Sequence, residues 1–368
     1  MNVCADSKQC KYKVYYDVLR LIAIFLVVFN HTPAYLFPFH ATGDSLIVGV
    51  MMIISALDKV AVPLFLMISG GLLLAKQETV GRVLRKRVVR FLCVIFLFHF
   101  VQSAWYLLNG GENGIGIRSF LGECYWGSTN QGYVLSGVEA WAVWFLYAYL
   151  GILLVLPFLR SMVAGMSRTH FYYLFGLQMV CCVLIPSVFV IVTGYSPEGN
   201  GLLRYLPLCG NVLVYVLAGY YVENRVNADK LYGRHFAYML MASFVFIGLA
   251  SIMPEIARVR MGESYMSQHI PGITSFLLIP CMTIVLVMKR VCGKLGQCQV
   301  AARVLRYLGG GVFTVMLVEN ILRGWVSAWF PEYATSYLPS IWVSGIVCFV
   351  GLGVGLVLKQ IPVLRKLL

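Results

Sequence analysis

The sequence predicts an all-α, polytopic membrane protein with about ten transmembrane helices and both termini in the cytoplasm. Composition is the first reason: of 368 residues, 60% are hydrophobic and 12% charged, whereas a soluble domain carries about 25% charged residues. Mean hydropathy is +0.81. Recurrence is the second reason, because apolar runs of about twenty residues, enough to cross a bilayer as a helix, return along the whole chain. Charge placement is the third. Basic residues gather in alternate connecting segments, the pattern that orients membrane helices.

Ten segments meet the length requirement: 18–38, 52–75, 88–108, 140–160, 171–193, 206–223, 235–253, 271–289, 307–329 and 340–359. With the amino terminus inside, 23 of the 29 Lys and Arg residues fall in inner segments, and Lys59, Arg118, Arg204, Arg258, Arg260 and Arg323 fall outside. This bias sets both termini in the cytoplasm and requires an even number of crossings. It also accounts for the net charge of +14 without a nucleic-acid partner, since the basic residues lie in short segments between spans. Eleven cysteines are scattered without CxxC or zinc spacing. Free thiols and no metal site are therefore expected, with a Cys124–Cys209 bridge as the alternative for that pair.

Taken in order, the first span reads YDVLRLIAIFLVVFNHTP from Tyr16 to Pro33. On a helix, Arg20 and His31 lie about 16 Å apart along the axis and on nearly the same face. An ionisable group within a span is costly against lipid and marks a functional site by default. Snorkelling of Arg20 and a plain interhelical bond from His31 are the structural alternatives.

The second span contains VPLFLMISGGLLL, Val62 to Leu74. Pro63 removes a backbone donor, and Ser69-Gly70-Gly71 lets another helix, or a slim chain such as a thioester arm, approach closely. The third span opens on RVLRKRVVR, Arg82 to Arg90. Arg87 and Arg90 are helical neighbours. They serve topology and anionic lipid, or they clamp phosphate bidentately together with Arg20 at the same depth. Arg303 and Arg306 are further candidates. The outer segment 109–139, rich in Gly, Ser, Asn and aromatic residues, fits a lid, an acceptor surface or a plain connector. In the ninth span, LGGGVFTVMLVEN places Glu319 about 20 Å beyond Arg306, at the depth of His31. Glu319 either orients His31 as a base or neutralises Arg323 one turn further on.

DVLRLIAIFLVVFNH with its Arg-x10-His spacing, VPLFLMISGG, Arg87-x-x-Arg90 and WFLYAYLGILLVLPFL (Trp144 to Leu159) occur in the order found in the acyltransferase-3 family. The chain resembles the short members of that bacterial integral-membrane family, those without an appended hydrolase domain. The resemblance implies one transmembrane acyltransferase domain over residues 1–368, multi-pass in a bacterial inner (plasma) membrane. It implies an O-acyltransferase, usually an O-acetyltransferase, that carries an acyl group from cytoplasmic acetyl-CoA to a hydroxyl of a cell-surface glycan or lipid-linked sugar. No bound cofactor is implied, acetyl-CoA being a substrate. His31 is then the catalytic residue, with Glu319 as its candidate partner, and Arg20, Arg87 and Arg90 handle the donor. Ser69 and Gly70 are the candidates for its pantetheine slot.

Two positions depart from the family pattern. Glu319 stands where the family often has histidine, and Tyr149 lies near the place of an expected glutamate. General-base and covalent catalysis by His31 are both open at this point. So is a transporter or export component for a polysaccharide or lipid-linked sugar, in which the same polar residues line a path.

Overall fold

The computed structural model describes residues 13–32, 45–108, 140–194, 208, 211–228, 233–261, 271–295 and 298–367. Among these, every regular element is helical. The helices are α1 (Val14–Asn30), α2 (Ser45–Asp58), α3 (Ala61–Leu73), α4 (Val80–Val83), α5 (Val89–Leu108), α6 (Ala140–Gly165), α7 (Arg168–Gln178) and α8 (Ile185–Thr193). They continue as α9 (Asn211–Asn224), α10 (Gly233–Met261), α11 (Pro271–Phe276), α12 (Leu278–Leu295), α13 (Gln299–Ser327), α14 (Tyr337–Leu358) and α15 (Pro362–Leu367). Each of the ten predicted segments carries a helix. Among the described residues, seven stretches are long and apolar enough to cross a membrane: Leu46–Leu73, Val80–Trp105, Trp144–Gly165, Arg168–Thr193, Gly233–Arg260, Gln299–Ser327 and Tyr337–Leu358. The chain is a polytopic, all-helical membrane protein.

The second and third spans differ in construction from the expectation. The second begins at Leu46 rather than 52 and is interrupted at Lys59-Val60, between α2 and α3. Pro63 is not the break. It stands in the first turn of α3, where backbone N–H groups lack an intrahelical partner anyway. The third span starts at Val80, and between α4 and α5 the residues Leu84–Val88 form a π-helical turn. That wider turn is a local distortion found often at functional sites.

In a bilayer, apolar side chains gain little by leaving lipid, so close packing of small residues and interhelical hydrogen bonds join the helices. The pairing of α3 with α9 shows this directly. A Cβ on Gly70 would lie 1.8 Å from the Val216 carbonyl oxygen, and one on Gly219 would lie 1.9 Å from that of Met67. Elsewhere Gln102 Nε2 of α5 donates to the Leu317 carbonyl of α13 at 3.2 Å. Ser243 Oγ of α10 donates to Thr283 Oγ1 of α12 at 2.8 Å.

The first helix is the hub, packing on α2, α3, α12, α13 and α14. Its buried Ile24 and Val28 form an apolar seam with Val312 and Val315 of α13. Asp17 meets Gly309, and His31 meets Glu319 further along both segments. The two helices therefore run in the same direction. Cys93, Cys181, Cys182, Cys281, Cys292, Cys298 and Cys348 are free thiols. Cys124, Cys209 and the segment 109–139 lie outside the described residues.

Candidate active site

His31 follows the last residue of α1, its backbone N–H still bonded to the Val27 carbonyl at 3.1 Å. Its side chain is 12% accessible, and Nδ1 lies 2.7 Å from Oε1 of Glu319, which is 3% accessible. An ionised carboxylate only accepts hydrogen bonds, so beside it Nδ1 carries the hydrogen, and in the neutral imidazole the lone pair is then on Nε2. Oε2 of Glu319 lies 3.8 Å from Arg323 Nε, an ion pair rather than a hydrogen bond, and Arg323 donates to Asn320 Oδ1 at 2.9 Å. Both partners considered for Glu319 are thus present, and His31 is the nearer.

One turn short of this pair begins a cavity of about 590 Å³, bounded by α1, α3, α5, α6 and α13. That is within the range of small-molecule sites. Its mouth carries Arg20, Lys76, Lys86, Arg87 and Arg90 against the single carboxylate Glu78, a net charge of 5 − 1 = +4. Its shaft is apolar and aromatic, with Phe65, Phe91, Phe145 and Phe313, and Ser69 and Tyr149 supply hydroxyls. Met316, at the inner end, precedes Glu319 by three residues on α13, about 4.5 Å of helix rise. His31 and Glu319 do not line the cavity.

The arginines are held in different ways. Arg20 Nη1 donates to the buried Asp17 Oδ1 at 2.6 Å. Arg87 grips Glu78 with two parallel bonds, Nε to Oε2 at 2.9 Å and Nη2 to Oε1 at 2.8 Å. Arg90 Nε donates to the Leu367 carbonyl of α15 at 3.1 Å. Glu78 sits in the connection between α3 and α4, outside the spans. The hydrogen bonds from Arg87, followed by the one from Arg160, hold its carboxyl well below the usual range, at about 2.

Six of the seven sequence candidates therefore fall into two groups: Arg20, Arg87, Arg90 and Ser69 around the cavity, and His31 with Glu319 beyond its inner end. Gly70 is the exception. Its Cα faces the Val216 backbone of α9, so the structure gives it a packing role and no place in the cavity wall. Arg303 and Arg306 do not line the cavity either. Sequence reasoning missed Asp17, Glu78 and Arg160. Asp17 had a signal, standing three residues before Arg20 on the same helix. Glu78 had none, being nine positions from Arg87 and 82 from Arg160.

A histidine paired with a buried carboxylate beyond a cation-mouthed cavity, within a polytopic bundle, has the parts of a membrane-embedded group-transfer enzyme. The chain belongs to the acyltransferase-3 family: the family model, described as an acyltransferase domain, matches residues 13–359. It is an acyltransferase, and this replaces the alternative of a transporter. No curated protein and no solved structure matches the chain.

Proposed function

We propose that the protein is an O-acyltransferase, most simply an O-acetyltransferase, that takes its acyl group from cytoplasmic acyl-CoA and delivers it to a hydroxyl of a cell-surface glycan or lipid-linked sugar. The observation that carries this reading is the cavity, cationic at its mouth and apolar in its shaft, whose inner end stops one helical turn from the His31–Glu319 pair. A net charge of +4 at the mouth complements the about four negative charges of a coenzyme A diphosphate and 3′-phosphate. Arg20, Arg87 and Arg90 bind the phosphates, and Ser69 and the aromatic residues line the route of the pantetheine arm. This reading uses ten crossings with both termini inside, which puts the mouth at the cytoplasmic face of a bacterial inner membrane.

His31 Nε2 takes the proton of the acceptor hydroxyl as its oxygen attacks the thioester carbonyl. The new C–O ester bond forms, the C–S bond breaks, and the proton passes to the leaving CoA thiolate. Glu319 keeps Nδ1 protonated and the ring in one orientation. The test is acyl transfer from labelled acetyl-CoA in membranes that contain the cell's own glycans. General-base assistance is worth about 10²- to 10⁴-fold, so His31→Ala should abolish the label's appearance in glycan while the protein stays folded. Near-normal transfer by that variant would overturn the assignment. Stoichiometric release of CoA by purified enzyme without acceptor would make His31 an acyl carrier rather than a base.

A further inference from the structure

Glu78 is the one carboxylate among the residues that line the cavity mouth, and it lies against the arginine the donor would need. Two roles fit a carboxylate so placed: a rival that occupies the guanidinium until phosphate displaces it, or a strut that aims the guanidinium at phosphate. Resting on the acyl-CoA reading above, we infer that Glu78 is a strut: a positioning residue for Arg87, itself anchored by Arg160.

A guanidinium has five N–H groups in a planar fork. Glu78 takes the Nε and Nη2 edge of Arg87, one hydrogen from each nitrogen. Three N–H groups remain, two on Nη1 and one on Nη2, and one from each nitrogen forms the end-on edge that a phosphate can grip bidentately. The carboxylate therefore fixes the orientation of the fork without covering its anion-binding edge.

Arg160 is the anchor of Glu78. Arg160 Nη2 donates to Glu78 Oε2 at 2.8 Å, and Arg160 Nε donates to the Leu73 carbonyl at 3.0 Å. Leu73 ends α3, where carbonyls lack an intrahelical donor. Arg160 therefore ties the end of α3 to Glu78, pinning both ends of the short connection that carries it. Its side chain is 9% accessible, against 24% for Arg87, and it is not part of the cavity wall. One carboxylate shared by two guanidinium groups leaves the cluster with a net positive charge, so an arriving phosphate is attracted and has no need to evict Glu78. The π-helical turn Leu84–Val88 completes the arrangement, since it carries Arg87 and brings it across to the α3–α4 connection.

The experiment compares the purified full-length protein with its Glu78→Gln, Arg87→Ala and double variants, using two probes: coenzyme A and pantetheine, which has no phosphate. A strut affects only the phosphate-bearing probe, whereas general damage to the fold weakens both. The expected result is that Glu78→Gln weakens coenzyme A about tenfold, the scale of one charge-assisted hydrogen-bond contact, and leaves pantetheine unchanged. The double variant should be no weaker than Arg87→Ala alone. If Glu78→Gln binds coenzyme A equally or more tightly while Arg87→Ala weakens it, Glu78 is a rival or a bystander and the inference fails, with the donor reading intact. If Arg87→Ala leaves coenzyme A binding unchanged, the donor reading fails and takes the inference with it. Equal weakening of both probes by Glu78→Gln also overturns the inference. Arg160→Lys repeats the test should Glu78→Gln not fold: lysine keeps the charge but cannot serve Leu73 and Glu78 from one planar fork. Wild-type coenzyme A affinity in Arg160→Lys would overturn the role of the anchor.

Discussion

His31 and Glu319, 288 residues apart in the chain, meet at 2.7 Å, while the other oxygen of Glu319 stays 3.8 Å from Arg323. The carboxylate is shared unequally, and the imidazole has the hydrogen bond. Glu319→Gln preserves the side chain's shape but replaces an ionised acceptor with an amide, so Nδ1–H and the ring's orientation lose their main support. Turnover should fall by about 10²-fold or more with little change in donor affinity. Arg323→Lys keeps a cation beside Oε2 and should cost far less. Steady-state transfer rates of the two variants, alongside coenzyme A binding, check the ranking. Equal losses would mean that Glu319 serves Arg323.

The fold was legible because the bilayer imposes simple rules on length and on the placement of charge. The breaks were less so. The interruption of the second span falls at Asp58-Lys59, the only charged residues between Leu46 and Leu73, but their partner was not legible: Lys59 Nζ donates to Asn30 Oδ1, beside His31 at the end of α1. In the site, Arg20 and His31 were visible as costly residues in an apolar helix, and Arg87 and Arg90 as a charge cluster. Their carboxylate partners were visible only where helical spacing placed them nearby, as with Asp17, or where a second span held an ionisable group at matching depth, as with Glu319. Glu78 reads as one polar residue in a connection, and only the packing of α6 against the α3–α4 connection brings Arg160 to it.

Gly70 looked like part of a slot for a slim ligand, and the slot is filled by a helix. Gly70→Ala would put its Cβ 1.8 Å from the Val216 carbonyl oxygen, and Gly219→Ala would put its Cβ 1.9 Å from that of Met67. Backbone cannot swing aside, so α3 and α9 must separate. Each substitution should destabilise the protein by about 1–3 kcal/mol or more. Thermal unfolding in detergent should show the loss, and the folded fraction should retain its coenzyme A affinity. A selective loss of affinity without destabilisation would return Gly70 to the donor path.

The Arg87–Glu78 contact should be indifferent to pH over the physiological range. Glu78 has a carboxyl held at about 2, chiefly by its hydrogen bonds from Arg87 and then the one from Arg160, against about 4.3 for a free glutamate. A depressed acid contributes stability that is fully present above the unfolded value and is lost as pH falls through the folded one. The ratio of wild-type to Glu78→Gln coenzyme A affinity should thus stay constant from about pH 5 to 8. Taking the ratio cancels the titration of the donor's own phosphates. A ratio that changes across that range would show that protonation of Glu78 is coupled to binding.

The triple glycine of α13 separates two effects at adjacent positions. A Cβ at Gly309 would lie 2.5 Å from Asp17 Oδ1, 2.6 Å from its Cβ and 2.7 Å from its Cγ. Asp17 is buried and short, with no route of retreat, and it holds Arg20 through a 2.6 Å bond. A Cβ at Gly310 would meet only Lys359 Nζ, at 2.7 Å, the far end of a flexible chain that moves at little cost. Gly309→Ala should therefore displace Asp17, release Arg20 from its orientation and weaken coenzyme A by about tenfold, with pantetheine affected much less. Gly310→Ala should bind both probes like the wild type. Because both residues line the same cavity, a general effect of narrowing it would weaken both variants alike, and that result would show that Asp17 does not position Arg20 for the donor.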